Sequence, residues 1–274
     1  NNIISTSTDL SNQTYTIYNT SSWNRTDLAF RTKEQSAGRN TALDENNTTC
    51  LSQRLSDGSF VFLAENVPAL GSKKYKLANQ SSSFKSDLKV NQNTLENDFL
   101  KVSVNPENGS IASIIRKDNN EELVDNKQSG INQYLYVPGK DPSKAESAKN
   151  VSISIKENGP LIVSLLVTSD APGTKKLTQE IRLINGLNRI DLINTVDKLK
   201  VREKEAVNFA FPFNIPDGKM KIDLGVGSLE PEINQLTGSC KDFNCAQRWV
   251  DISNDKSGIT WTTNEALLIE IGEM

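Results

Sequence analysis

Short apolar runs broken by turn-forming residues recur along this chain, and no segment sustains a helical period. Residues 100–104 and 111–115 are strand-like and flank Asn105-Pro106-Glu107-Asn108-Gly109. Residues 151–155 and 161–168 repeat the pattern around Glu157-Asn158-Gly159-Pro160, and residues 177–184 and 189–196 repeat it around Asn185-Gly186-Leu187-Asn188. Two β-rich runs joined by a Pro, Asn or Gly turn predict a hairpin. Further strand candidates lie at 14–18, 59–63, 207–213, 220–224, 248–252, 259–262 and 266–271. Many short strands separated by turns predict an all-β fold built from sandwiches rather than a parallel α/β sheet. Pro212 interrupts an aromatic run and predicts an edge or a bulge there, because proline cannot donate to a ladder.

A boundary is also legible. Residues 79–93 are polar and include Ser81-Ser82-Ser83. They predict a small β-sandwich module at 1–82, a linker at 83–93 and a larger β-sandwich at 94–274, with 141–148 as an exposed loop. No internal repeat is visible.

Composition narrows the chemistry. The 274 residues include no histidine. Histidine is the commonest metal ligand and the usual base near neutral pH, so no Ser-His-Asp triad, Cys-His pair or HExxH zinc site can be built here. The three cysteines leave Cys240 and Cys245 as a local disulfide or two free thiols, and Cys50 as a buried thiol. With 31 basic and 34 acidic residues and a net charge of -3, the chain has no clustered basic footprint for nucleic acid. It has no apolar run approaching the ~20 residues of a bilayer span, and no basic-then-apolar leader at its start. Asn-x-Ser/Thr sequons fall at Asn12, Asn19, Asn24, Asn46, Asn47, Asn79, Asn108 and Asn150. They read as glycan acceptors in a secreted eukaryotic protein, or as chance matches in an Asn-, Ser- and Thr-rich chain.

Carboxylate pairs are the first chemistry to test, since many glycosidases use two. Glu121, Glu122, Asp223, Glu230, Glu232, Asp251 and Asp255 are the candidates, none in a motif that fixes a partner. Gly225-Val226-Gly227 is a lone glycine pair with no helix behind it. Aromatic and polar side chains together suit sugar recognition, and Asn132-Gln133-Tyr134-Leu135-Tyr136 is the richest such cluster. In a strand, Asn132, Tyr134 and Tyr136 would share one face, as sugar contacts or as half-buried sandwich residues. Gln247-Arg248-Trp249 sets an arginine fork beside an indole, as a ligand contact or a structural cation–π pair. Trp23 and Trp261 are expected in the core.

Several segments, in order, resemble the β-rich part of family 38 glycoside hydrolases, the α-mannosidases. Tyr15 to Arg25 resembles the opening of that part, and Val67 to Tyr75 the end of its first module. Leu95 to Leu100 with Asn108 to Ile111 is similar to the start of the following large sandwich, and Glu205 to Phe213 and Gln247 to Asp251 are similar to later segments. The resemblance implies a small β-sandwich followed by a large galactose-mutarotase-like supersandwich. It places zinc, held by His and Asp, and an Asp nucleophile in an N-terminal barrel outside this chain, so no catalytic or metal residue carries over. In the family the β half lends a tyrosine and an arginine to the sugar site. Tyr134, in Gln133-Tyr134-Leu135-Tyr136-Val137-Pro138, matches the tyrosine, and Arg248 is the candidate arginine. Family members continue beyond the point corresponding to Met274, implying truncation at both ends.

The expected function is the non-catalytic β part of an α-mannosidase-like hydrolase, bracing the catalytic barrel and contacting α-mannoside glycans, with no cofactor of its own, inactive alone, and secreted or periplasmic. The alternative is a free-standing carbohydrate-binding β-sandwich protein. An aldose epimerase shares the sandwich type but needs a histidine acid.

Overall fold

The computed structural model describes residues 4–9, 14–80 and 84–272. Asn12 and Ser81-Ser82-Ser83, named above, lie outside these. The described residues form seven β-sheets in which every strand pairing is antiparallel. The all-β expectation holds, and the three hairpins fall where the turns predict them. Leu100–Val104 pairs with Ile111–Arg116, Lys149–Asn158 with Ile162–Asp170, and Thr174–Ile184 with Ile190–Lys198.

Near the N-terminus, a five-stranded sheet contains Thr14–Tyr18 and Ser72–Ala78 as neighbours, and a three-stranded sheet centres on Phe60–Val67 between Arg25–Arg31 and Ser52–Arg54. Their inner faces share a core that includes Tyr15, Ile17, Phe60, Phe62 and Tyr75. The unbroken apolar run Phe60-Val61-Phe62-Leu63-Ala64 is buried at every position, as expected for a strand covered on both faces. Phe60, Phe62 and Ala64 point into the sandwich. Val61 and Leu63 point the other way, onto Leu161, Ile162 and Ile184 of the four-stranded meander formed by residues 149–198.

Polar groups fix the register of that seam. Gln53, 8% exposed, accepts the Leu161 and Ile162 amides on its Oε1 at 3.1 and 2.8 Å. The Ser56 amide and hydroxyl donate to Glu157 at 3.0 and 2.5 Å, and Arg189 reaches Asp27 at 3.1 Å. Gly159 makes the approach possible, because a Cβ there would lie 2.2 Å from the Gln53 side chain.

The meander packs its Val163, Leu165, Val167, Ile181 and Leu183 face against a four-stranded sheet of residues 89–116 to form the largest core. Lys89–Val90, inside the stretch read as linker, is an edge strand of that sheet. Three smaller sheets follow, built around Gln133–Pro138, around Lys219–Asp223 with Trp249–Ser253, and from Phe243–Cys245 with Leu268–Glu270.

Two expectations are corrected. Trp23 is 64% exposed rather than in the core. The loop holding it is anchored through its backbone, where Asn19 Nδ2 donates to the Trp23, Val67 and Pro68 carbonyls, so the indole is not needed for packing. Asn132 has φ of 61° and precedes the strand, so it does not share a strand face with Tyr134. Residues 33–36 form one helical turn closed by a Thr32–Gln35 capping box, too short to register as a period.

The other face of the meander carries a buried charge cluster. Glu180 accepts from Arg182 at 2.6 and 3.0 Å, from Lys156 at 2.6 Å and from Ser164 at 2.9 Å. Burial alone would raise its pKa, but hydrogen bonds from Arg182 and Lys156 outweigh burial and hold it below the ordinary glutamate value. A carboxyl depressed in the folded state contributes stability above its unfolded pKa of about 4.3, and that stability is lost as pH falls through the folded value. Glu180→Gln is therefore expected to lower stability at pH 7 by about 3 kcal/mol. It should also flatten the acid limb of the stability curve, read by urea unfolding from pH 7 down to pH 3.

Candidate functional site

Tyr134 sits on Gln133–Pro138, the central strand of a three-stranded sheet between Glu146–Ser147 and Glu205–Ala210. It is 0% exposed. Its ring meets Phe209 edge to face at 5.7 Å, and Ala148, Ala171 and Leu177 complete the pocket around it. The hydroxyl donates to the Pro172 carbonyl at 2.6 Å, and burial pushes its pKa up to about 12. Tyr136, two residues on, is half-buried and borders the same cluster. Its ring lies against Gly173, with the Lys198 ammonium 5.8 Å from the centroid. The neighbouring Glu205 carboxylate, acting as acceptor, raises the Tyr136 phenol pKa, while Lys198 at 2.7 Å holds Glu205 below the usual carboxylate range.

Arg248 lies on a different sheet, just ahead of Trp249–Ser253. It is exposed, and among the described residues its guanidinium makes no ion pair or hydrogen bond. Its position is set by backbone bonds, since the Thr263 amide donates to its carbonyl at 3.3 Å and the adjacent Gln247 amide donates to Asp223 O at 2.8 Å. Gly225 faces Gln247 with φ of 85°, and a Cβ there would overlap the Gln247 amide. The left-handed backbone accounts for the glycine at 225, whereas Gly227 has open space around it. The structure thus encloses Tyr134 and opens Arg248 to solvent, on sheets that do not bring the two side chains together.

Of the candidate carboxylates, Glu121, Glu122, Asp223 and Asp251 serve local structure. Glu121 takes Arg116 at 3.1 Å and Ser257 at 2.7 Å. Glu122 takes the Ile114 amide, and Asp251 takes Ser253 and Thr260. Among the described residues no group of three or more His, Cys, Asp or Glu could hold a metal ion, and with no histidine in the chain these side chains do not fit a zinc centre. Cys240 and Cys245 are free and exposed. Cys50 is half-buried, with its thiol pushed up to about 12 by burial. Among the described residues no helix is long and apolar enough to cross a membrane. Of the sequon asparagines, Asn19 is buried and bonded through its amide, whereas Asn24, Asn46, Asn47, Asn79 and Asn150 are exposed.

A polar groove of about 490 Å³ opens at the seam, lined by residues that include Asn40, Gln53, Arg54, Phe84, Glu157 and Asn158. No single segment carries its signature, because its walls come from four separated stretches of chain. The one local signal is a glutamine inside a strand-forming run at 52–54.

The chain matches the family described as "Glycosyl hydrolases family 38 C-terminal domain" over residues 95–268. Among solved structures, its fold is similar to a crystal structure of an alpha-mannosidase from Enterococcus faecalis V583, with a TM-score of 0.66 and 13% identity. That alignment covers 90% of this chain and 37% of the other, so this chain spans little more than a third of that protein. No curated protein matches in sequence.

The enclosure of Tyr134 yields a direct expectation. Tyr134→Phe removes the donor to the Pro172 carbonyl and should cost about 1–2 kcal/mol, visible as a lower urea midpoint with an unchanged slope.

Proposed function

This chain belongs to glycosyl hydrolase family 38 through that family's C-terminal domain, and we propose that it is the non-catalytic β part of an α-mannosidase-type hydrolase. In this reading the chain braces a catalytic domain and faces α-mannoside glycans, while zinc and the nucleophile belong to the catalytic domain. The match over residues 95–268 carries the proposal. The donor set supports it, since the described side chains do not fit a zinc centre, and no step is assigned to them.

Exposed apolar residues support the bracing role. Val226, Ile233, Leu236, Phe243 and Leu268, in the last quarter of the chain, are each more than half exposed, as are Trp23 and Leu70 near the N-terminus. Five such residues between 226 and 268 are the apolar surface this part of the chain offers to a neighbouring domain. Arg248, exposed and without a side-chain partner among the described residues, is the better placed of the two sugar-site candidates. Tyr134 would act by holding its sheet in place behind such a site. The galactose-mutarotase-like character of the large sandwich belongs to the same proposal.

The test is turnover of an aryl α-mannoside by the purified 274-residue chain, with and without added zinc. No turnover above buffer is expected. Zinc-dependent hydrolysis that persists through repeated purification would overturn the non-catalytic assignment.

A further inference from the structure

We propose that the groove at the seam between the N-terminal sandwich and the meander is a binding site for an uncharged sugar ring. The proposal goes beyond the accessory role above and stands on the groove's own groups.

Gln53 makes the strongest case. Its side chain is more than nine-tenths buried, and its Oε1 is fully used by the Leu161 and Ile162 amides. The hydrogen bonds of its side chain all run to Oε1, and Gln53 lines the groove, which leaves Nε2 as the donor it can offer there. A buried amide whose acceptor is locked while its donor is left over offers a fixed, directional N–H to a ligand oxygen. Ser52, the preceding residue on the same strand, is 5% exposed, and its hydroxyl lacks a partner among the described residues. Successive strand residues face opposite sides, so Ser52 pairs with Phe62 toward the sandwich interior and the groove-facing capacity on this strand is that of Gln53.

The other walls extend the same chemistry. Asn158, exposed on the turn before Gly159, makes no side-chain hydrogen bond among the described residues and supplies both a donor and an acceptor. Asn40 spends its Oδ1 on the Gln80 amide at 3.2 Å and the Thr41 hydroxyl at 3.1 Å, so its Nδ2 is available. Phe84 adds an aromatic surface to the lining.

The charged members do not invite an ion. Arg54 is held by the Gly58 carbonyl at 2.7 Å and the Ser36 hydroxyl at 3.1 Å, and Glu157 by Ser56. One positive and one negative group, each already satisfied, leave the groove with no net preference for an anion or a cation. Its free capacity is amide donors and acceptors beside one aromatic ring, matching a ligand with ring hydroxyls and an apolar C–H face. A volume of about 490 Å³ is within the range of small-molecule sites, ~300–1,000 Å³.

The experiment is a titration of the isotope-labelled 274-residue chain with methyl α-D-mannopyranoside and, separately, methyl β-D-glucopyranoside, following backbone and side-chain amide signals by NMR. The expected result is saturable shifts for at least one glycoside at the Gln53 and Asn158 side-chain amides, with a dissociation constant of about 1–10 mM. Phe84→Ala, at a half-buried position, and Asn158→Ala, at an exposed one, should each weaken that binding by about fivefold or more while leaving the rest of the spectrum in place. Absence of saturable shifts with both glycosides would overturn the site. So would shifts that map elsewhere and survive both substitutions.

Discussion

Gln53 takes two consecutive backbone amides from the turn at Leu161 and Ile162, and the relation between the two halves of the described fold depends on that contact. An unpaired buried amide costs roughly 1–3 kcal/mol, so the turn cannot shift along the N-terminal sandwich without exposing or orphaning two of them. Around this polar pin, Val61 and Leu63 close on Leu161, Ile162 and Ile184. The apolar contact supplies attraction without direction, and the glutamine supplies direction. Glycine at 159 is the steric condition for both, because any side chain there would displace Gln53.

Much of this was legible in the sequence. The three long hairpins are strong local signals, since each pairs a β-rich run with a turn whose residues tolerate the required backbone. The double-sided burial of residues 60–64 follows from an apolar run that does not alternate. What was not legible depends on contacts between distant segments. Tyr134 lies in a run that reads equally well as a binding face or a core strand, and only Phe209, Ala171 and Pro172, arriving from elsewhere in the chain, enclose it. Trp23 shows the reverse. A large aromatic residue is a reasonable core candidate, yet here Asn19 anchors the loop by its backbone and the ring is left outside. The groove at the seam was invisible for the same reason, since residues 40, 53, 84 and 158 share no local pattern.

Glu180 and Glu205 each hold a local charge arrangement in place, and Glu121 and Asp251 accept from neighbouring side chains. These four carboxylates are thus committed to local structure. The chain's unspent capacity lies in the exposed apolar residues between 226 and 268, in Arg248, and in the amides of the seam groove.

Sequencing the native transcript around this region tests the central claim most directly. The account predicts a single reading frame that runs upstream of Asn1 into a catalytic segment carrying His and Asp zinc ligands and an Asp nucleophile. A reading frame encoding these 274 residues alone would contradict the accessory role and leave a free-standing β protein, whose function would then rest on what its own surface binds.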